Sequence, residues 1–196
     1  MSSTTEYPEA LRAWLGNDED LLAVWKPIEV EQNEILLQVG NVAQGLYFVE
    51  RGCLRCFCFH EDKDVSVQFY TEGEKVTSLN SFHHKTPSAY GLEAVESSQL
   101  WKVGKKEFDQ LLKAKPQMGF ILEAFISDRC ELNGRRVMTL ISESPERRYL
   151  RLERERPDLL ERVKQSLIAS YLGITPVSLS RLKARLLRRT KASIRL

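Results

Sequence analysis

The chain has 196 residues, 42% hydrophobic and 29% charged, a globular composition that excludes disordered and collagen-like chains and suits one or two domains. Its 29 basic and 27 acidic residues leave a net charge of +2. No apolar run approaches the roughly 18 residues of a membrane span. The opening MSSTTEYPEALRAW also lacks the basic-then-apolar order of an export signal, so the expectation is a cytoplasmic protein without a membrane partner.

In chain order, Tyr7–Trp14 and Leu21–Trp25 carry apolar residues at helical spacing. From Ile28 the pattern becomes short strand-like runs between turns: 35–39, 46–50, 53–59 and 65–70, then a second cluster over 89–103. Such spacing predicts a sandwich or barrel. Helix returns at KKEFDQLLKAK (105–115), with Phe108, Leu111 and Leu112 on one face. After Pro116 a helix over 117–141 is expected, about 25 residues and on the order of 37 Å long. Its apolar stripe of Leu122, Ile126, Cys130, Val137 and Ile141 is long for one small sandwich to cover, which points to pairing with a second copy. Ser144-Pro145 ends this helix and caps the next, and Pro157-Asp158 is expected to break the chain again.

The segment SLIASYLGITPVSLSRLKARL (166–186) carries the strongest functional signal. Ile168 and Leu172 share a helix face with small Ala169 beside them, and Gly173 sits where a tight helix end requires positive φ. Ile174 reads as a buried turn residue. Thr175 is an N-cap, Pro176 a first-turn residue, and Leu179 and Leu182 the inward face of a second helix. This is a helix-turn-helix pattern, which places Ser178, Arg181 and Arg185 outward with Ser180 and Lys183 on the flanks.

Charge follows the same division. Residues 1–142 hold 15 bases and 21 acids, whereas residues 143–196 hold 14 bases and 6 acids. From Ser166 onward there is no acid, against Arg181, Lys183, Arg185, Arg188, Arg189, Lys191 and Arg195. A basic module on an acidic body suits double-stranded DNA as partner.

With these motifs in place, the sequence resembles the Crp/Fnr family of bacterial transcription regulators over nearly its whole length. ILLQVGNVAQGLYFVERGCLRCF resembles the family's strand-and-glycine-turn segment, with Gly40, Gly45 and Gly52 at the turns. The C-terminal ESPERRYLRL and the helix-turn-helix segment are similar to the compact variant of its DNA-binding end. The resemblance implies an α+β fold. Residues 1–115 would form a double-stranded β-helix, the jelly-roll or cyclic-nucleotide-binding-like β-roll sensor domain. Residues 116–142 would be the dimerisation helix, and residues 143–196 a (winged) helix-turn-helix domain. It also implies a homodimer, and RNA polymerase as a partner if the protein is an activator. The DNA-binding residues would be Thr175, Ser178, Ser180, Arg181, Lys183 and Arg185. The effector pocket would involve Thr77, Ser78, Leu79, Ser88, Ala89 and Tyr90.

Departures from the family pattern bear on the effector. Thr77 and Ser78 replace the Gly-Glu that holds a ribose, and Pro87 replaces the phosphate-binding Arg, which argues against cyclic AMP. Pro176 and Val177 stand where the family often carries its Arg and Glu base readers, so its usual target sequence is not implied.

Cys53, Cys56 and Cys58 form C-x2-C-x-C, with Cys130 distant, a layout that suits reduced thiols packed in a strand better than a disulfide framework or a metal site. No nucleophile elbow, phosphate loop or metalloprotease helix occurs, so no enzyme and no cofactor are expected. The alternative reading is a ligand- or redox-sensing protein whose basic C-terminus binds a non-DNA partner.

Overall fold

The computed structural model describes residues 6–61 and 63–193, with side chains described up to Arg189. Arg195 of the basic tail and the side chain of Lys191 lie outside the described residues. The chain gathers into two compact units, residues 1–58 with 68–129, and residues 59–67 with 130–196.

The first unit opens with α1 (Glu9–Trp14) and α2 (Glu19–Leu22). Asp18 caps α2 by accepting from the Asp20 and Leu21 N–H groups at 3.0 and 3.2 Å, two donors a helix start leaves unpaired. Lys115 Nζ lies 2.6 Å from the same carboxylate and holds its pKa below the usual range.

The strands that follow are β1 (Lys26–Val30), β2 (Ile35–Leu37), β3 (Gly45–Arg51), β4 (Leu54–His60), β5 (Lys63–Tyr70), β6 (Lys75–Val76), β7 (Gly91–Ala94) and β8 (Ser98–Gly104). They form two four-stranded sheets, ordered β1-β8-β3-β6 and β2-β7-β4-β5. β8 lies between β1 and β3 and pairs antiparallel with both; Trp101 sits opposite Pro27 on one side and Phe48 on the other. Leu46, Phe48, Val49, Leu54, Leu92, Leu100, Trp101 and Val103 are buried. Each such side chain contributes on the order of 1.5–3 kcal/mol, so this β-roll has a core of its own. Gly52 turns the chain between β3 and β4 at φ +119°, and an added Cβ would lie 2.1 Å from Ser98 Oγ. Gly40 is likewise at positive φ, but Gly45 opens β3 instead of forming a turn.

The sequence pattern did not reveal α3 (Leu79–His84). It follows β6, and its Phe82 side chain packs edge-on against Phe108, with ring centroids 5.3 Å apart. α4 (Lys105–Ala114) then leads to α5 (Met118–Ser142), a helix of 25 residues that runs from the first unit into the second.

Beyond α5 the regular structure among the described residues is helical: α6 (Pro145–Glu155), α7 (Pro157–Arg162), α8 (Gln165–Tyr171) and α9 (Pro176–Ser193). Ser144 caps α6 through its hydroxyl, which accepts from Arg147 N at 3.4 Å. Pro157 does not leave a loop; it occupies the first turn of α7, where its missing N–H costs nothing. The described residues 143–193 contain no strand pair that could form a wing. No described helix is long and apolar enough to cross a membrane.

Candidate nucleic-acid interface

The second unit is organised around the turn between α8 and α9. Ile168, Ala169 and Leu172 of the first helix and Leu179 and Leu182 of the second are all buried, so each helix gives its apolar face to the unit's interior. α8 ends in a tight reversal: Ile174 N donates to Ala169 O at 3.0 Å and Gly173 N to Ser170 O at 2.9 Å. Gly173 takes φ +68°, the left-handed conformation this closure needs. Ile174 is half-buried, since the turn leaves one side of it open to solvent. Thr175 Oγ1 accepts from Ser178 N at 3.1 Å and donates to Ser178 Oγ at 2.9 Å, which fixes the start of α9.

With Leu179 and Leu182 turned inward, α9 presents Val177, Ser178, Ser180, Arg181, Arg185, Arg188 and Arg189 to solvent, and Lys183 is half-buried on the flank. Arg181, Ala184, Arg185, Arg188 and Arg189 line a shallow depression of about 520 Å³. Of the expected contact residues, Thr175 serves the cap, whereas Ser178, Ser180, Arg181 and Arg185 are all exposed. The arrangement offers fixed cations and hydroxyls on a single helix, chemistry suited to phosphate oxygens and base edges.

Three side chains important to this arrangement went unread in the sequence. Arg148 of α6 donates from Nε to Leu172 O at 3.0 Å, and from Nη1 to Leu140 O at 3.2 Å and Glu143 O at 2.7 Å. One guanidinium thus pairs with carbonyls at the C-terminal ends of α8 and α5, where the helix dipole favours a cation. Arg136 hydrogen-bonds Tyr171 O and stacks 3.7 Å over the Tyr171 ring; burial pulls its pKa down. Glu146 meets two arginines of α9, Arg185 at 2.6 Å and Arg189 at 2.7 Å. No local pattern in the sequence marks these long-range pairs.

Along α5 the expected stripe is mostly uncovered within the chain. Leu122 is half-buried, Cys130 is exposed, and Ile126, Val137 and Ile141 are 41%, 53% and 76% exposed. The helix instead buries Met118 and Phe125, and Trp14 packs edge-on against Phe125.

The expected effector residues are brought only partly together. Buried Ser88 and half-buried Ser78 have their hydroxyls 2.7 Å apart, and Tyr90 N donates to Ser88 Oγ at 3.1 Å. Thr77 turns away, its hydroxyl donating to Gly45 O at 2.8 Å, and Leu79 starts α3. Pro87, Ala89 and Tyr90 are exposed, and no cation stands at the Pro87 position. Among the cysteines, Cys53 and Cys56 are buried, and burial pushes the Cys56 thiol up to about 12. No three His, Cys, Asp or Glu side chains among the described residues converge as metal ligands would.

Comparison with known proteins places the first unit. Residues 27–115 match the family described as Cyclic nucleotide-binding domain. No curated protein matches the sequence. Among solved structures, the c-di-GMP responsive global regulator CLP of Xanthomonas campestris is similar at 17% identity and a TM-score of 0.74, covering 90% of this chain and 93% of that one. FixK2 from Bradyrhizobium japonicum follows at 18% identity and TM-score 0.69, covering 85% and 86%. A CooA mutant from Carboxydothermus hydrogenoformans gives 15% identity and TM-score 0.68, covering 94% and 86%.

Proposed function

We propose, for a chain that carries a cyclic nucleotide-binding domain over residues 27–115 and has the fold of the Crp/Fnr regulators, a transcription regulator that binds double-stranded DNA as a homodimer. One observation supports this above all: α8 and α9 lock together through Leu179 and Leu182 and leave an acid-free, arginine-bearing side of α9 exposed. In this reading α8 and α9 form a helix-turn-helix. Ser178, Arg181 and Arg185 read base edges, and Ser180 and Lys183 contact phosphates. The domains are those expected above, a sensor over 1–115, a pairing helix over 116–142 and a DNA-binding end over 143–196. The exposed Ile126, Val137 and Ile141 of α5 are covered by the same helix of a second copy, continuing the stripe of Leu122 and Cys130. Two recognition helices then meet successive major grooves about 34 Å apart.

Cyclic AMP is not an effector in this reading, because Thr77, Ser78 and Pro87 supply neither the ribose carboxylate nor the phosphate cation. Any effector contacts fall to Ser78, Leu79, Ser88, Ala89 and Tyr90, and effector-driven movement of the paired helices would alter the spacing of the recognition helices. The protein works in the cytoplasm without enzymatic activity, and with RNA polymerase as a partner if it activates.

Selection of bound duplexes from a random library tests the reading. The expected result is an enriched two-fold site with half-sites one helical turn apart. General binding that disappears with salt and enriches no sequence, with and without cell extract as a source of effector, would overturn it.

A further inference from the structure

A second concentration of positive charge lies in the first unit. The loop residues Val42, Ala43 and Gln44, the end of α3 and the exposed side of α4 enclose an open pocket of about 480 Å³. Four lysines line it, Lys85, Lys105, Lys106 and Lys113, against one carboxylate, Asp109. That carboxylate is already paired, since Lys105 Nζ bonds Asp109 one helical turn away and lies 5.2 Å over the Phe82 ring. Lys85, Lys106 and Lys113 are exposed, and among the described residues none has an acidic side chain within ion-pair distance.

The pocket is built, not assembled from a loose rim. Ala43 N donates to Ser81 Oγ at 2.9 Å, tying the loop to α3, and Lys105 N donates to Gln44 O at 3.1 Å, tying the same loop to α4. Lys85 ends α3 at φ +58°, a left-handed conformation uncommon for a side chain of its kind. Lys105 and Lys106 occupy the first turn of α4, where the helix dipole disfavours cations. Glu107 of that turn leans back toward Gly104 and does not line the pocket. Three uncompensated ammonium groups around one concavity repel each other and concentrate small anions.

We infer that this pocket binds a small phosphate-bearing anion, with Lys85, Lys106 and Lys113 as its charge partners. Its volume matches a small-ligand site. The inference does not depend on DNA recognition by α9.

The test is calorimetric titration of the full chain with inorganic pyrophosphate at constant ionic strength held with chloride. Saturable binding at one anion per chain is expected, weakened at least tenfold in a Lys106→Gln/Lys113→Gln variant and unchanged in Lys26→Gln, an exposed lysine on β1. Parallel titrations with orthophosphate and a nucleoside diphosphate separate a free anion from one carried on a nucleoside. Lys85→Gln, outside every helix, provides the same reading should the double variant fail to fold. Absence of saturation, equal binding by wild type and both variants, or duplex DNA losing affinity in parallel with pyrophosphate would overturn the assignment.

Discussion

Arg55 and Arg185 each meet one glutamate at hydrogen-bond distance, Glu93 at 2.8 Å and Glu146 at 2.6 Å, yet their surroundings are opposite. The Arg55 side chain is 2% exposed on β4, opposite its partner on β7, with its guanidinium 4.8 Å over the Phe57 ring. The Arg185 side chain is 55% exposed and shares Glu146 with Arg189. In the β-roll the pair cannot separate without leaving a charge in a poorly hydrated site. On α9 water and salt screen the pair, so an incoming phosphate can replace the glutamate at little cost. The same chemistry therefore serves architecture in one unit and, in the proposed reading, exchangeable recognition in the other.

The largest predicted effect breaks the buried member. Glu93→Gln should destabilise the protein by about 3–5 kcal/mol, because it breaks an ion pair whose arginine is buried. Urea unfolding measures this, and a loss under about 1 kcal/mol would make the two pairs alike. Leu179→Ala removes a fully covered side chain from between α8 and α9 and should cost about 2–4 kcal/mol, with loss of DNA binding at temperatures where the β-roll remains folded. Circular dichroism alongside fluorescence anisotropy on a selected duplex follows both.

Arg181→Ala should leave stability within about 0.5 kcal/mol and weaken specific DNA binding by about 1–3 kcal/mol. Equal weakening on specific and random duplexes would make it a phosphate contact only. Glu146→Gln sharpens the comparison from the acid side. By freeing Arg185 and Arg189 it should strengthen DNA binding a few-fold, with a steeper salt dependence and little change in melting temperature. Unchanged affinity would mean that the glutamate does not compete with phosphate.

The smallest effect is on pH dependence. In the folded state burial raises the Cys56 thiol from an ordinary value near 8.5 to about 12. The unfolded thiol ionises first as pH rises, so this contribution to stability is complete below about pH 8.5 and declines toward about 12. Cys56→Val should flatten that alkaline limb in unfolding measured from pH 8 to 11; an identical slope would assign the limb to other groups, such as Tyr70, whose pKa burial also raises.

Patterns that repeat along the chain were legible in the sequence. The strands of the β-roll, the length of α5 and the inward Ile168, Leu172, Leu179 and Leu182 follow from apolar spacing, and the turn follows from Gly173 and Thr175. What escaped depends on partners far apart in sequence. In α3, Phe82 packs against Phe108, and Arg148 is important because Leu140, Glu143 and Leu172 converge on it. Local periodicity carries no record of such meetings. Expected site residues divided on the same ground: those on one exposed helix stayed together, whereas Thr77 and Ser88, joined only by a family pattern, took separate partners.

The Arg148 junction has a consequence for how target sites could diverge. A single guanidinium ties the end of α5 to the turn before α9. In the proposed homodimer, a reader built this way would behave as a caliper with its jaws set. Operators that gain or lose one base pair between half-sites rotate one half-site out of phase, and such a dimer would have little slack with which to follow. Drift at such promoters would therefore run through base substitution far more than through insertion or deletion.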